Sequence, residues 1–358
     1  MLREGRMAAL RYCTPFGFLA LLPLGGWLGG AWTLAPVIAT PLVLTGLDAV
    51  FGDERASAGA GAGAGHRLIL WLYIPLQIAA FAWAAALAAR PGTSLPEAAG
   101  LAVSAGVTLG VFGFVAAHDM IHSRAPAERA LGLALLGSVF YMHFRISHVH
   151  GHHRRAATWQ DPASARLGEG LYAFLPRSIA GQFGEAWRFE TERLRRAGRR
   201  PIGPGNRVLG YLALEALLAI GLGMVSLRAL AFVAVSAIVA IGLLEAFNYV
   251  AHYGLTRRDA ASGRPEPLGP QHSWNSARRM NNAALFNMGR HSDHHRLTQR
   301  PYQALEPLPG AAELPSGYAA ALLMAFVPPL WRRVMDPRAR AMLERAMGIE
   351  PTTFSLGS

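Results

Sequence analysis

AAGLAVSAGVTLGVFGFVAAHDMIHSR, residues 98–124, is the stretch on which the reading of this chain turns. From Ala98 to Ala117 it is apolar and uncharged over the ~20 residues a helix needs to cross a ~30 Å hydrocarbon core. It then becomes polar at once. Its first strongly polar residues include His118 and His122, four apart and so on one face of a helix. Alone, a histidine ending an apolar helix can simply cap it or sit at the membrane interface. The weight comes from repetition.

Five further runs match the apolar half: roughly Phe16–Trp32, Leu34–Val50, Leu68–Ala89, Leu209–Leu227 and Ala229–Tyr249. The first two are separated by little more than Gly29-Gly30 and read as a tight helical hairpin. A cleaved signal peptide is a poor reading of the first run, because more spans follow it. Ala130–Phe144 is shorter and reads as a shallow interfacial helix. Of the 358 residues, 52% are hydrophobic and 16% charged, with a mean hydropathy of +0.24. That is too apolar for an ordinary soluble domain. The fold expected is an all-α integral membrane protein with six transmembrane helices.

The net charge of +12 comes from arginine, since the chain has no lysine. Arg3, Arg6 and Arg11 precede the first span, and residues 124–207 and the stretch after Arg257 are dense in arginine. Between spans three and four, and five and six, stand only Arg90 and Arg228. Six crossings with the amino terminus inside put every arginine-rich part in the cytoplasm, as the positive-inside bias requires. Topology and anionic headgroups account for the charge, so no nucleic-acid partner is expected. The expected address is a bacterial inner membrane. Cys13 is the single cysteine, which rules out a cysteine-built zinc or iron–sulfur site and any internal disulfide.

The chain divides into a six-helix membrane domain, 1–256, with a cytoplasmic insert, 118–207; a cytoplasmic C-terminal region, 257–347; and a disordered tail, 348–358. Gly59–Gly65 (GAGAGAG) reads as a flexible loop. An amphipathic helix is expected over Ile179–Arg196, broken by the Gly and Pro of RRAGRRPIGPGN. Tyr318–Trp331 is a late apolar stretch expected to pack on the membrane surface.

The histidine half of the opening pattern also repeats. SHVHGHH carries His148, His152 and His153, and RHSDHH carries His291, His294 and His295; His252 ends the last span. Spacings of three and four let imidazoles converge on a common point, and all clusters fall on one membrane face. Nine imidazoles exceed the four ligands of one zinc and suit two metal ions. Imidazole suits Zn, Cu, Fe and Ni alike, so ligand type does not choose among them. An oxygen-activating pair fits the boundary location, where a lipophilic substrate enters from hydrocarbon and electrons from the cytosol. Asp293, between two of these histidines, reads either as a carboxylate that orients an imidazole or as a solvated acid.

HDMIHSR (118–124), SHVHGHHRR (147–155), QDPASAR (160–166), FNYVAHYGL (247–255), HSWNS (272–276) and RHSDHH with RPYQAL (290–305) together resemble the integral-membrane alkane 1-monooxygenases. These form, with the xylene monooxygenases, a branch of the membrane fatty-acid desaturase and hydroxylase superfamily. The resemblance covers roughly residues 40–335. It implies nine histidines holding two non-haem irons: His118, His122, His148, His152, His153, His252, His291, His294 and His295. His150, His66 and His143 match no ligand position. Asp161, Glu245, Asp293 and His272 are implied as supporting residues around the ligands, and Arg290 and Arg300 as shaping the site or a partner surface. Asp119, Ser123, Ser147 and Ala251 stand where the family more often has Glu, Lys, Glu and Glu. No imidazole is lost by these departures, but lost carboxylates bear on ligand orientation and substrate range.

The resemblance implies O2-dependent hydroxylation of a terminal C–H of a medium- or long-chain alkane or related hydrocarbon to a primary alcohol. Electrons would come from a separate rubredoxin or ferredoxin with its reductase. The alternative enzyme is a membrane fatty-acyl or lipid desaturase or hydroxylase. A haem-binding or metal-transport protein fits poorly, since the spans hold few ionisable residues, chiefly Glu215 and Glu245.

Overall fold

A computed structural model of the chain describes residues 9–55, 64–258 and 263–347. Most of the expected loop Gly59–Gly65, Arg3, Arg6 and the expected tail 348–358 lie outside the described residues. Among the described residues the regular structure is mainly helical, with two two-residue strands, β1 (Trp274–Asn275) and β2 (Ala312–Glu313), paired in parallel with Trp274 opposite Ala312.

Among the described residues, five helical stretches are long and apolar enough to cross a membrane: Gly30–Phe51, Gly65–Ala89, Leu95–His122, Arg207–Val225 and Leu227–His252. The first expected span is shorter than its apolar run suggests. Helix α1 (Thr14–Leu28) has 15 residues, or about 22 Å at ~1.5 Å per residue, below a ~30 Å core. Gly29, at φ 71°, turns the chain through a 3₁₀ segment into α2 (Ala35–Phe51). The hairpin is tight: a Cβ on Gly25 would lie 2.3 Å from the Trp32 carbonyl oxygen.

Helix α3 (Ala64–Ala89) is followed by α4 (Leu95–Thr108), which a capping box of Ser94 and Glu97 starts. A π-helical turn, Leu109–Gly113, joins α4 without a break to α5 (Phe114–His122). The continuous stretch Leu95–His122 has 28 residues, about 42 Å. It therefore carries His118 and His122 past the apolar zone on the same rigid rod.

Ala130–Phe144 is not one helix. Pro126 at the first turn starts α6 (Pro126–Gly137), and the chain then bends at Phe140, whose φ is 59°. Helix α7 (Phe144–Ser147), a π turn His148–His152 and α8 (His153–Arg155) follow as one continuous helix. Helix α9 (Leu171–Arg196) begins eight residues before the expected amphipathic segment.

Helices α10 (Arg207–Val225) and α11 (Leu227–His252) are the last long pair. Beyond them come α12 (Arg279–Ala284), α13 (His291–Arg296), α14 (Tyr318–Ala325) and α15 (Pro328–Ala346). Pro328 splits the expected Tyr318–Trp331 stretch, because proline cannot continue α14.

Helices α4 and α11 form the central pair, and small residues bring them together. A Cβ on Gly106 would lie 2.6 Å from Val239 Cβ, and one on Gly110 2.9 Å from Leu243 Cβ. The Ser236 hydroxyl donates to the Ala102 carbonyl at 2.9 Å. Close backbone approach with an interhelical hydrogen bond is the usual means of packing where lipid supplies no hydrophobic drive.

Candidate metal centre

The nine histidines meet in two groups. His118, His122, His148, His153 and His294 offer ring nitrogens all within 4.8 Å of one another; His152, His252, His291 and His295 do the same. Four chain segments supply the donors: the end of α5, the helix after Phe144, the end of α11, and α13. Each His-His pair divides between the groups. His153 and His294 join the first and His152 and His295 the second, because adjacent helical residues point about 100° apart.

The spacing rule holds at two places and fails at two, since His291 and His294, three apart, also fall in different groups. His118 with His122, and His291 with His295, share a group at four-residue separation. His148 does not share one with His152. The π turn lengthens the register, with the His153 N–H donating to the His148 carbonyl five residues back. His148 Nε2 therefore faces His153 Nε2 at 2.9 Å.

The donor set fits a cation. In the first group Nε2 atoms face one another at 2.7 Å (His118–His148), 3.1 Å (His122–His153) and 3.2 Å (His153–His294). In the second, His252–His291 and His291–His295 stand at 3.1 Å and His252–His295 at 3.2 Å. A neutral imidazole has one donor and one acceptor nitrogen. His153 Nε2 faces three partners, which one N–H cannot serve. Nitrogens bound at ~2.1 Å and right angles to one ion lie ~3.0 Å apart, matching these distances. Burial, reinforced by mutual repulsion, holds His148, His153, His291, His294 and His295 well below the ordinary imidazole pKa. They are neutral at pH 7 and able to donate lone pairs.

Asp161 touches the second group. Its Oδ2 accepts from His152 Nδ1 at 2.8 Å and from the Ser164 hydroxyl at 2.7 Å. Burial alone would raise this carboxyl, but His152 and Ser164 outweigh it and hold it below the ordinary carboxylate value. The contact fixes the tautomer that leaves His152 Nε2 free to point into its cluster.

Of the other expected supports, Asp293 and Glu245 bond away from the imidazoles, while the backbone of His272 faces His252. Asp293 takes no imidazole in the bonds described. Its carboxylate accepts from Arg296 at 3.1 Å, Arg300 at 2.7 Å and the Glu306 N–H at 2.9 Å, tying α13 to the following segment. The α-helix that brings His291 and His295 inward turns Asp293 away. Glu245 accepts from Tyr141, Ser178, Gln182 and Asn248. His272 bonds to the Gly269 N–H and to Glu266, and belongs to neither cluster. Arg290 is buried, donating to the Leu305 carbonyl and to Glu54. His66 and His143 stand outside both groups.

Sequence reasoning missed Arg67. From the start of α3 its guanidinium pairs with both Asp119, inside the first histidine box, and Glu128 in the first turn of α6. Ser123 and Trp71 also donate to Glu128, and the Tyr302 N–H donates to Asp119. The guanidinium holds the Glu128 carboxyl down to about 2. Nothing in the local sequence marks Arg67, since an arginine before an apolar run is ordinary topology.

Two spaces reach the clusters. An apolar cavity of about 40 Å³ touches His118, His148 and His291, walled by Gly110, Phe114, Phe144, Leu243, Phe247 and Met288. A wider one of about 190 Å³ shares Val111, Leu243, Leu285 and Leu322 with it and runs out between α2, α11 and α14 to Leu323 and Phe326. On another side a polar vestibule of about 500 Å³ reaches His118, His122 and His294, lined by Arg67, Arg124 and Arg300 with Thr298 and Gln299.

Comparison with known proteins gives one family match. The fatty acid desaturase family model matches residues 93–320. The chain is similar to alkane 1-monooxygenase 1 of Pseudomonas aeruginosa, 39% identical over 325 residues, covering 87% of this chain and 84% of that protein. It is also 39% identical to an alkane 1-monooxygenase of Acinetobacter baylyi over 312 residues, covering 87% and 76%. With the xylene/toluene monooxygenase hydroxylase component of Pseudomonas putida it shares 29% over 317 residues, covering 86% and 82%.

Proposed function

This chain belongs to the fatty acid desaturase family, among the alkane 1-monooxygenases, and from that footing we propose that it hydroxylates the terminal carbon of a medium- or long-chain hydrocarbon. The balance is RH + O2 + 2 H⁺ + 2 e⁻ → ROH + H2O. The observation that carries the proposal is the pair of buried all-imidazole clusters at the inner end of an apolar cavity.

Two non-haem irons would be held here, one by His118, His122, His148, His153 and His294 and one by His152, His252, His291 and His295. Bound iron supplies the oxidising power for O2 and the C–H bond. The protein's own residues bind, align and exclude. The narrow inner cavity, at roughly 10–15 Å³ per water-sized group, takes about three or four such groups of a chain. A chain end fits there better than a bend, which favours attack at the terminus. Phe144 stacks on His148 at 4.7 Å between ring centres and, with Phe247 and Met288, keeps the wall apolar. Asp161 holds the His152 ring in place.

Electrons enter from a separate carrier, for which we propose a rubredoxin or ferredoxin with its reductase. The support is the arginine-lined vestibule, whose charge suits an acidic partner and steers its approach. The arginine distribution supports a cytoplasmic site on a bacterial inner membrane.

The test is purified protein with about two irons per chain, incubated with labelled O2, a reductase system and a panel of C8–C16 alkanes, a fatty acid and an alkyl aromatic. Labelled primary alcohol from the alkane is expected. His291→Ala is expected to abolish tight iron binding at its cluster and hydroxylation. Full activity in that variant, or an alkene as product, would overturn the assignment.

A further inference from the structure

We infer that Glu215 is a positioning residue for the histidine-bearing helix, which it caps from a neighbouring span, and through that helix for the wall of the substrate cavity. The inference rests on the proposed reading of the clusters as metal sites.

Helix α10 is exposed or half-buried along its length except at Val208 and Glu215, its buried residues. A carboxyl nine residues into an apolar 19-residue span is expensive and needs a reason. Its partner is a backbone group. Glu215 Oε1 accepts from the Met142 N–H at 2.8 Å.

Met142 lies at the start of the helix that carries His148, His152 and His153. The first bonds of that helix run from Phe144 N to Tyr141 O, Arg145 N to Met142 O and Ile146 N to His143 O. Met142 stands in the turn that leads into that helix, just before its N-cap His143, and its N–H goes to Glu215 rather than to the helix itself. Capping side chains usually come from the helix itself; this one comes from a residue 73 positions later in the chain.

The approach to this turn needs outside support. Phe140, two residues earlier, sits at φ 59°, in the left-handed region that bulky side chains rarely adopt. Tyr141 is held in a similar way, its hydroxyl donating to Glu245 at 3.0 Å. Two carboxylates from two spans therefore grip consecutive residues. Three residues beyond Tyr141, Phe144 stacks on His148 and lines the cavity. Glu215 and Met142 also face an apolar groove between α3, α6 and α10. A leucine at 215 would leave the Met142 N–H without an acceptor in apolar surroundings, and the turn would shift to find one.

The experiment compares wild type with Glu215→Leu, Glu215→Gln and Ser94→Ala, the last removing a cap at the start of α4, remote from the clusters. Iron content, Mössbauer spectrum and the terminal-to-subterminal product ratio are read in each. Glu215→Leu is expected to alter the spectrum, lose up to one of about two irons and lower the product ratio several-fold. Glu215→Gln keeps an oxygen acceptor and is expected to restore all three; Ser94→Ala is expected to leave them unchanged. Wild-type readings in Glu215→Leu, equal damage in Glu215→Gln, or the same changes in Ser94→Ala would each overturn the inference. Should Glu215→Leu fail to accumulate, Glu215→Asp, one methylene shorter, decides in the same way. Wild type without iron would instead defeat the metal reading itself.

Discussion

Replacing Asp161 by Ala removes one buried carboxylate and touches no imidazole donor atom. Asp161 is 1% exposed, and its Oδ2 lies 2.8 Å from His152 Nδ1. A hydrogen bond to a charged group contributes about 1.5–3 kcal/mol. At ~1.4 kcal/mol per tenfold, that is roughly 10–100-fold in affinity, the range found when outer partners of metal-bound histidines are removed. His152 belongs to the four-histidine group, so the loss should fall on one metal and spare the other. Chelator competition on the purified protein is expected to turn one dissociation phase into two, with half the iron leaving at 10–100-fold lower chelator. Asp161→Asn retains an oxygen acceptor and should fall between. A variant that releases both irons together at the wild-type chelator concentration would refute the reasoning, since His152 would then be oriented by packing alone.

Gly106→Ala would place a Cβ 2.6 Å from Val239 Cβ and 2.8 Å from the Ser236 carbonyl oxygen. It should lower stability by about 1–3 kcal/mol through overpacking, seen as a drop in Tm with iron content per folded chain unchanged. Glu128→Gln should destabilise in a pH-dependent way. The Glu128 carboxyl falls from 4.5 to about 2 on folding, so its contribution is present above pH 4.5 and is lost as pH falls through 2. Because the Arg67 side chain is partly exposed, about 1–2 kcal/mol is expected at pH 7 after screening; melts at pH 7 and pH 3 should show the gap between variant and parent narrowing at the lower pH.

Much of the site was legible because its residue types are rare where they stand. Nine histidines beside apolar runs are costly unless they hold something, and all nine lie in the two groups. What local pattern could not give was orientation. Asp293 sits inside a histidine box, yet bonds to Arg296 and Arg300. Asp161, eight residues beyond its box, reaches His152 because a turn folds it back. Arg67 lies 52 residues from its partner Asp119 and carried no signal. The first apolar run was long enough by composition, but Gly29 and a 3₁₀ turn took part of it into the hairpin.

The sequence alone determined the class of protein and the kind of chemistry. Transfer of apolar residues out of water, and the preference of imidazole for metals, depend on residue identity and need no knowledge of neighbours. Tertiary structure decided the partition of the imidazoles into five and four, the pairing of His148 with His153 and the capping of their helix by Glu215. Those follow from a π turn and from the register of helices far apart in the chain, and spacing along a sequence encodes neither.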